Sequence, residues 1–171
     1  IIALIAIFLY ILIRFRNVAF SVGSIVALAF DTLVVIGFYS LLWGIVPMSL
    51  EIDQTFIGAI LTVIGYSIND KVIVFDRIRE NIHLYPTRNR WELFNESLCQ
   101  TIARTVNTSS TTFLVLLCIF LFGGNSIRSF SFAMLLGVVF GTLSSIFIAA
   151  PVAYFTLSKR ARKEEPVVAK A

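Results

Sequence analysis

From Val18 to Val46 the chain reads VAFSVGSIVALAFDTLVVIGFYSLLWGIV, with a single charged side chain, Asp31. A helix needs about 20 residues to cross the ~30 Å of bilayer hydrocarbon, and this run exceeds that. Four more apolar segments accompany it, at 1–13, 56–75, 106–122 and 130–157. The composition agrees: 58% of residues are hydrophobic and 14% charged, against roughly 45–50% apolar content in a soluble domain. Lipid offers backbone amides no partners, so each span must satisfy its own, and the ten-residue alternation of a membrane strand is missing. The fold class expected is an all-α integral membrane helical bundle.

Residues 1–13, IIALIAIFLYILI, fall short of a full span and read as a truncated transmembrane helix. A secretory signal would need a basic region before the apolar run and a small-residue cleavage site after it, and neither is present. The chain is therefore expected to be a fragment of a larger membrane protein. Residues 18–46, 56–75, 106–122 and 130–157 are read as complete transmembrane helices, 77–105 as a cytoplasmic, partly amphipathic connection, and 158–171 as a cytoplasmic tail.

The connections differ in charge. RFRN at 14–17 and KRARK at 159–163 are basic, Arg77 to Arg104 holds five arginines, PMSLEIDQ at 47–54 is acidic, and GGNSIRS at 123–129 carries one arginine. Lysine and arginine are retained on the cytoplasmic side, which places Arg14, the 77–104 connection and the C-terminal end inside and the other two loops outside. The net charge of +4 could suggest nucleic acid, but the cations sit at the ends of apolar runs, so anionic headgroups of the lipid bilayer are the expected partner and nucleic acid is not.

Pro86 divides the long connection. Asn89 with Glu92 three residues on resembles a capping box, and Trp91, Phe94, Leu98 and Ile102 recur at helical spacing. That pattern fits an amphipathic helix at the headgroups, or equally one packed on its own protein. The last eleven residues lack periodicity and read as a solvated tail. Cys99 and Cys118 do not suggest a disulfide, and nothing has metal-ligand spacing. With no nucleophile–base pair and no phosphate-cradling loop, neither an enzyme nor a cofactor is expected.

Three charges stand where lipid is expected. Asp31 lies about 17 Å along its helix, near the midplane, and Asp70 lies about 10 Å before Arg77. Arg104 enters the next span from the same side. An unpaired charge at the bilayer centre costs at least ~2.5–3.5 kcal/mol, so such groups are usually partnered, inward-facing and functional. Asp31 is read either as a possible second functional acid or as a structural hydrogen-bonder to a neighbouring helix. Lys71 is explained by snorkelling to the headgroups. Asp70 is read as a protonatable group, or as an acid paired with Arg104 or Lys71. Thr62, Tyr66, Asn69, Asp70 and Ile73 share one helix stripe, and Thr101, Arg104, Thr108, Thr111 and Val115 another. Two such stripes can line a wet path, although any single Ser or Thr can simply bond back to its own helix. Ala133, Gly137, Gly141, Ser145 and Ala149 form a small-residue stripe suited to close helix packing. Burial disfavours a carboxylate's charge and a nearby guanidinium favours it, so varying the Asp70–Arg104 distance would load and release a proton.

IGYSINDKVIVFDRIREN (64–81), FNESLCQTIARTVNTSSTT (94–112) and LFGGNSIRSFSFAMLLGVVFGTLSSIFIAAPVA (121–153) closely resemble the membrane half of the SecF family, or the SecF-like half of a fused SecDF chain, within the resistance-nodulation-division superfamily. The resemblance covers nearly all of 20–157. It implies a six-helix half with a large extracytoplasmic domain between its first two helices, this chain holding helices two, truncated, to six. It also implies location in the bacterial inner membrane, proton motive force in place of a cofactor, and work alongside SecD, the SecYEG channel and, indirectly, SecA and the preprotein. The family's motif aspartate falls on Asp70 and its arginine on Arg104, the pair implied to carry protons, with Tyr66, Ser67, Asn69 and Thr108 as polar surround. Many relatives have His-Asp where this chain has Phe30-Asp31, which puts a histidine-assisted relay there in doubt. The function expected is proton-driven assistance to protein export; a small-molecule/proton antiporter of the same superfamily and a structural scaffold subunit are the alternatives.

Overall fold

The computed structural model describes residues 2–15, 17–45 and 53–164. Their elements are α1 (Ile2–Phe15), α2 (Val18–Leu42), α3 (Gln54–Leu84), α4 (Arg90–Phe122), α5 (Asn125–Ser144), a π-helical turn (Ser145–Ala149) and α6 (Ala150–Glu164). No strand occurs among the described residues, and the bundle is all-α. Four helical stretches are long and apolar enough to cross a membrane: Val18–Leu42, Gln54–Leu84, Arg90–Phe122 and Ile127–Lys159, the last running through α5, the π turn and α6. Residues 46–52, which hold most of the acidic connection, and 165–171 lie outside the described residues.

Short polar side chains start three helices by satisfying amides that have no partner within the helix. Asn17 accepts from the Ala19 amide at 3.1 Å, Asp53 from Phe56 at 2.8 Å and Asn89 from Trp91 at 3.1 Å. Asn89 thus caps α4 as its position suggests, but Glu92 returns no bond to it among the described residues, so the capping box is half made. Gly44, at φ 82°, turns the chain out of α2 in a left-handed conformation that a Cβ would strain.

The connection predicted at 77–105 is mostly helix. α3 continues unbroken to Leu84, and α4 begins at Arg90 and runs through the next span without interruption. The amphipathic segment is therefore the opening turns of α4, and it packs on its own protein. Leu93, Phe94 and Ser97 are buried, Asn81 donates to Ser97 Oγ at 2.7 Å, and the rings of Trp91 and Phe94 meet Tyr154 edge-on with centroids 5.4 Å away. α6 likewise remains helical to Glu164.

The α5 helix sits centrally, packed on α2, α3 and α4. Its small-residue stripe makes this possible. A Cβ at Gly137 would overlap the Val63 side chain, and one at Gly141 would come within 2.8 Å of Ser67 Oγ. Without a hydrophobic force between helices in lipid, such close approach supplies the dispersion contacts that hold them. At the far end Phe15, Phe20 and Phe75 stack from α1, α2 and α3, with centroids 5.0–6.2 Å apart. The π turn ends at Ala149, two residues before Pro151. A proline ring has no N–H for the carbonyl four residues back and crowds it, and a widened turn gives that carbonyl room.

Candidate functional site

Mid-helix on α2, Asp31 is completely buried, as is Lys71 on α3. Lys71 Nζ donates to Asp31 Oδ2 at 2.8 Å and to Ser144 Oγ of α5 at 3.2 Å. Ser67, one turn before Lys71, donates to the same Asp31 oxygen at 2.6 Å and also contacts Nζ. Ser144 in turn donates to the Gly141 carbonyl at 3.1 Å. An ion pair therefore ties α2, α3 and α5 together where Gly141 lets the helices close. Asp31 Oδ1 has no partner among the described residues.

This corrects the snorkelling expectation for Lys71. Snorkelling needs a path for the ammonium to water; here Asp31 and two serine hydroxyls solvate it inside the bundle. Asp31 serves as its counter-ion, joining neighbouring helices.

Asp70, 2% exposed, points to a different face of α3. Thr142 Oγ1 of α5 lies 3.5 Å from Asp70 Oδ2, at the edge of hydrogen-bonding distance, and Thr142 also lies 2.6 Å from Ser109 Oγ of α4. The acid thus faces hydroxyls, with Lys71, its neighbour in sequence, committed to Asp31.

Arg104 stands apart from it. No carboxylate lies within 4.0 Å of the guanidinium among the described residues, since the ion pairs there are Arg14–Asp76, Lys71–Asp31, Arg77–Glu80 and Arg88–Glu96. The expected Asp70–Arg104 contact is therefore not made in this conformation. Arg104 instead borders an open cleft of about 480 Å³ with Ile73, Asp76, Arg77, Glu80 and Gln100. Asp76 is held by Arg14 at 2.9 Å, and Arg77 by Glu80 and Gln100 at 2.6 Å each. The cleft's α3 wall begins at Ile73, so the open space comes within about one helical turn of the acid.

The expected polar surround is divided. Tyr66 donates to Thr112 Oγ1 at 3.3 Å, bridging α3 to α4. Ser67 belongs to Asp31 rather than Asp70. Asn69 is exposed, and Thr108 is exposed and donates to its own helix at the Arg104 carbonyl, 2.9 Å away. Thr111 and Thr112 bond back to Thr108 in the same way, the local satisfaction open to any helical Thr. The residues that do meet the buried charges and were not anticipated are Lys71, Ser109, Thr142 and Ser144. For Thr142 and Ser144 the available signal was the polar stretch TLSS at 142–145 inside an otherwise apolar span; Lys71 and Ser109 stand in the polar stretches SINDK at 67–71 and NTSSTT at 107–112.

The comparisons with known proteins agree with this architecture. The family described as protein export membrane protein SecD/SecF, C-terminal, matches residues 1–159. A protein translocase subunit SecF from Rhodothermus marinus is 54% identical over 150 residues, covering 88% of this chain and 48% of that protein. The subunit of the same name from Haemophilus influenzae is 45% identical over 148 residues, 86% of this chain and 44% of its own length. Among solved structures, SecDF from Thermus thermophilus, described as a translocon-associated membrane protein, superposes with a TM-score of 0.78 at 42% identity, covering 88% of this chain and 20% of that one. The chain spans about half the length of these two curated relatives. By its sequence match and its fold, the chain belongs to the SecD/SecF C-terminal family of protein export membrane proteins.

Proposed function

We propose that the protein acts as an accessory subunit of the bacterial Sec translocase, using proton flow through its membrane helices to drive protein export across the inner membrane. In this reading Asp70 takes up and releases the proton, and Arg104 is the mobile counter-ion that sets when it does so. The reading is supported above all by the setting of Asp70. Its acid group is buried, offered only hydroxyl partners, and one turn from an open cleft that carries a guanidinium. A carboxylate so placed changes its proton affinity when a cation approaches. The relatives are named as translocase subunits and the solved SecDF as translocon-associated, which supports a place beside the translocon; in this reading the partners are SecD, separate or fused, and the SecYEG channel, with SecA and preprotein engaged indirectly and proton motive force as the energy source.

The Asp31–Lys71 pair supplies the fixed frame. Because Lys71 is neutralised by Asp31, Asp70 is the buried charge free to vary. Proton uptake into vesicles containing the full-length protein tests this. Asp70→Asn is expected to abolish uptake and Arg104→Met to reduce it at least tenfold; equal uptake in both variants and the wild type would refute the mechanism. An antiporter would keep proton uptake while failing to support export of a secreted reporter, and a scaffold would support export with Asp70→Asn in place.

A further inference from the structure

A second cavity, of about 230 Å³, opens where α1 meets α2, between the cytoplasmic ends of α3, α4 and α6. Arg79, His83 and Arg90 line it together with Asn17, and no carboxylate does so among the described residues. That composition separates it from the Arg104 cleft, which contains Asp76 and Glu80. Arg14, Arg77 and Arg88 each have a carboxylate partner. Arg79 and Arg90 have none within 4.0 Å among the described residues, and both line this cavity. Arg90 Nη1 reaches the Leu157 carbonyl at 3.4 Å, which draws its head toward the α6 wall.

The depth of the cavity follows from α2. That helix has 25 residues and a length of about 37 Å, more than the ~30 Å of hydrocarbon, so its cap, Asn17, lies at the headgroup layer. Exposed Trp91 and Tyr85 nearby in sequence fit the aromatic belt of that layer. Below the cations, Phe15, Phe20, Ile82 and Leu157 give the cavity an apolar side. Its volume is several times the ~30 Å³ share of one water, enough for a phosphate ester. Two guanidiniums offer the planar forked donors that phosphate oxygens accept, and the apolar side suits the glycerol and upper acyl carbons attached to that phosphate.

We infer that this cavity is a binding site for the phosphodiester headgroup of an anionic phospholipid, seated between Arg79, His83 and Arg90 with its chains directed along Phe15 and Phe20. The site is separate from the proposed proton pathway, because it shares no lining residue with the Arg104 cleft and Asp70 does not line it.

The test uses the full-length protein in mild detergent, titrated with phosphatidylglycerol, with bound lipid counted by native mass spectrometry. A juxtamembrane cation contributes about fivefold to binding an anionic surface, so Arg79→Gln/Arg90→Gln is expected to weaken binding about 25-fold. Arg79→Lys/Arg90→Lys, which keeps the charge, should retain most of it. Arg88→Gln removes one charge from the same end of the molecule outside the cavity and should leave the tightest-bound lipid in place. Should the double glutamine variant fail to fold, Arg90→Gln alone is expected to lose about fivefold. Undiminished binding in the glutamine variants, or a loss no greater than that of Arg88→Gln, would overturn the assignment. So would equal binding of phosphatidylcholine, or displacement of the lipid by inorganic phosphate, which would identify a site for a soluble anion.

Discussion

Lys71 is among the largest completely buried side chains of the described residues, and its ammonium is tolerable there only because Asp31, Ser67 and Ser144 replace water around it. Breaking a buried pair leaves one charge without compensation, at a cost of about 3–5 kcal/mol, whereas replacing both partners by apolar groups of similar size is often close to neutral. Lys71→Met is therefore expected to destabilise the protein by about that amount in reversible detergent unfolding, and Asp31→Leu combined with Lys71→Met to recover most of the loss. Additive effects in that cycle would show that the pair does not couple. Surface pairs behave differently. Arg14–Asp76 is about half exposed on both sides, and Arg14→Gln is expected to change stability by less than about 1 kcal/mol, measured in the same assay.

At the level of the elements, α5 is defined by what its side chains leave out. Gly137 lies against Val63 and Gly141 against Ser67, so the helix approaches α3 closely enough for Ser144 to meet Lys71. Overpacking such a contact costs about 1–3 kcal/mol. Gly137→Ala should lower stability within that range, and Val63→Ala, which removes the two nearest methyls but leaves the Cβ at 2.9 Å, should recover part of the loss when combined with it. If the double variant is no more stable than Gly137→Ala, the fault lies elsewhere than in this contact. The amphipathic pattern from Trp91 to Ile102 was legible in sequence. Its surroundings were not, because an apolar stripe specifies that something covers it without specifying whether lipid or protein does. Here Tyr154 packs on Phe94 and one edge of Trp91, while Trp91 and Ile102 stay exposed.

For the whole molecule, the proposed orientation rests on the asymmetry of Lys and Arg, which would put the α3–α4 turn and the end of α6 on the cytoplasmic side. Cys99 and Cys118 are free and exposed, and they report on it directly. Cys99 sits in the N-terminal third of α4, the end proposed to be cytoplasmic, whereas Cys118 sits near that helix's opposite end in an apolar run. In a Cys118→Ala background a membrane-impermeant maleimide should label Cys99 in inside-out vesicles and leave it unlabelled in intact spheroplasts. Labelling from the outside would invert the topology and, with it, the side on which the Arg104 cleft opens.

The all-α membrane class, the helical character of the apolar runs and the presence of buried acids were all determined by the sequence alone. The reason is that lipid imposes one-dimensional rules: ~20 apolar residues to cross, backbone bonds satisfied within the segment, cations retained on one side. Asp31 and Asp70 were conspicuous because a charge is rare in such a run. Partnership was decided only in three dimensions. Lys71 follows Asp70 directly in the chain yet pairs with Asp31 on another helix, since adjacent residues on an α-helix point about 100° apart. Ser67 goes to Asp31 for the same reason, and Ser109 and Thr142 reach the Asp70 face because the glycines of α5 allow three helices to converge there. Sequence spacing fixes the direction of each side chain on its own helix; which helix it meets depends on rotation and close approach, which arise from packing among all of them.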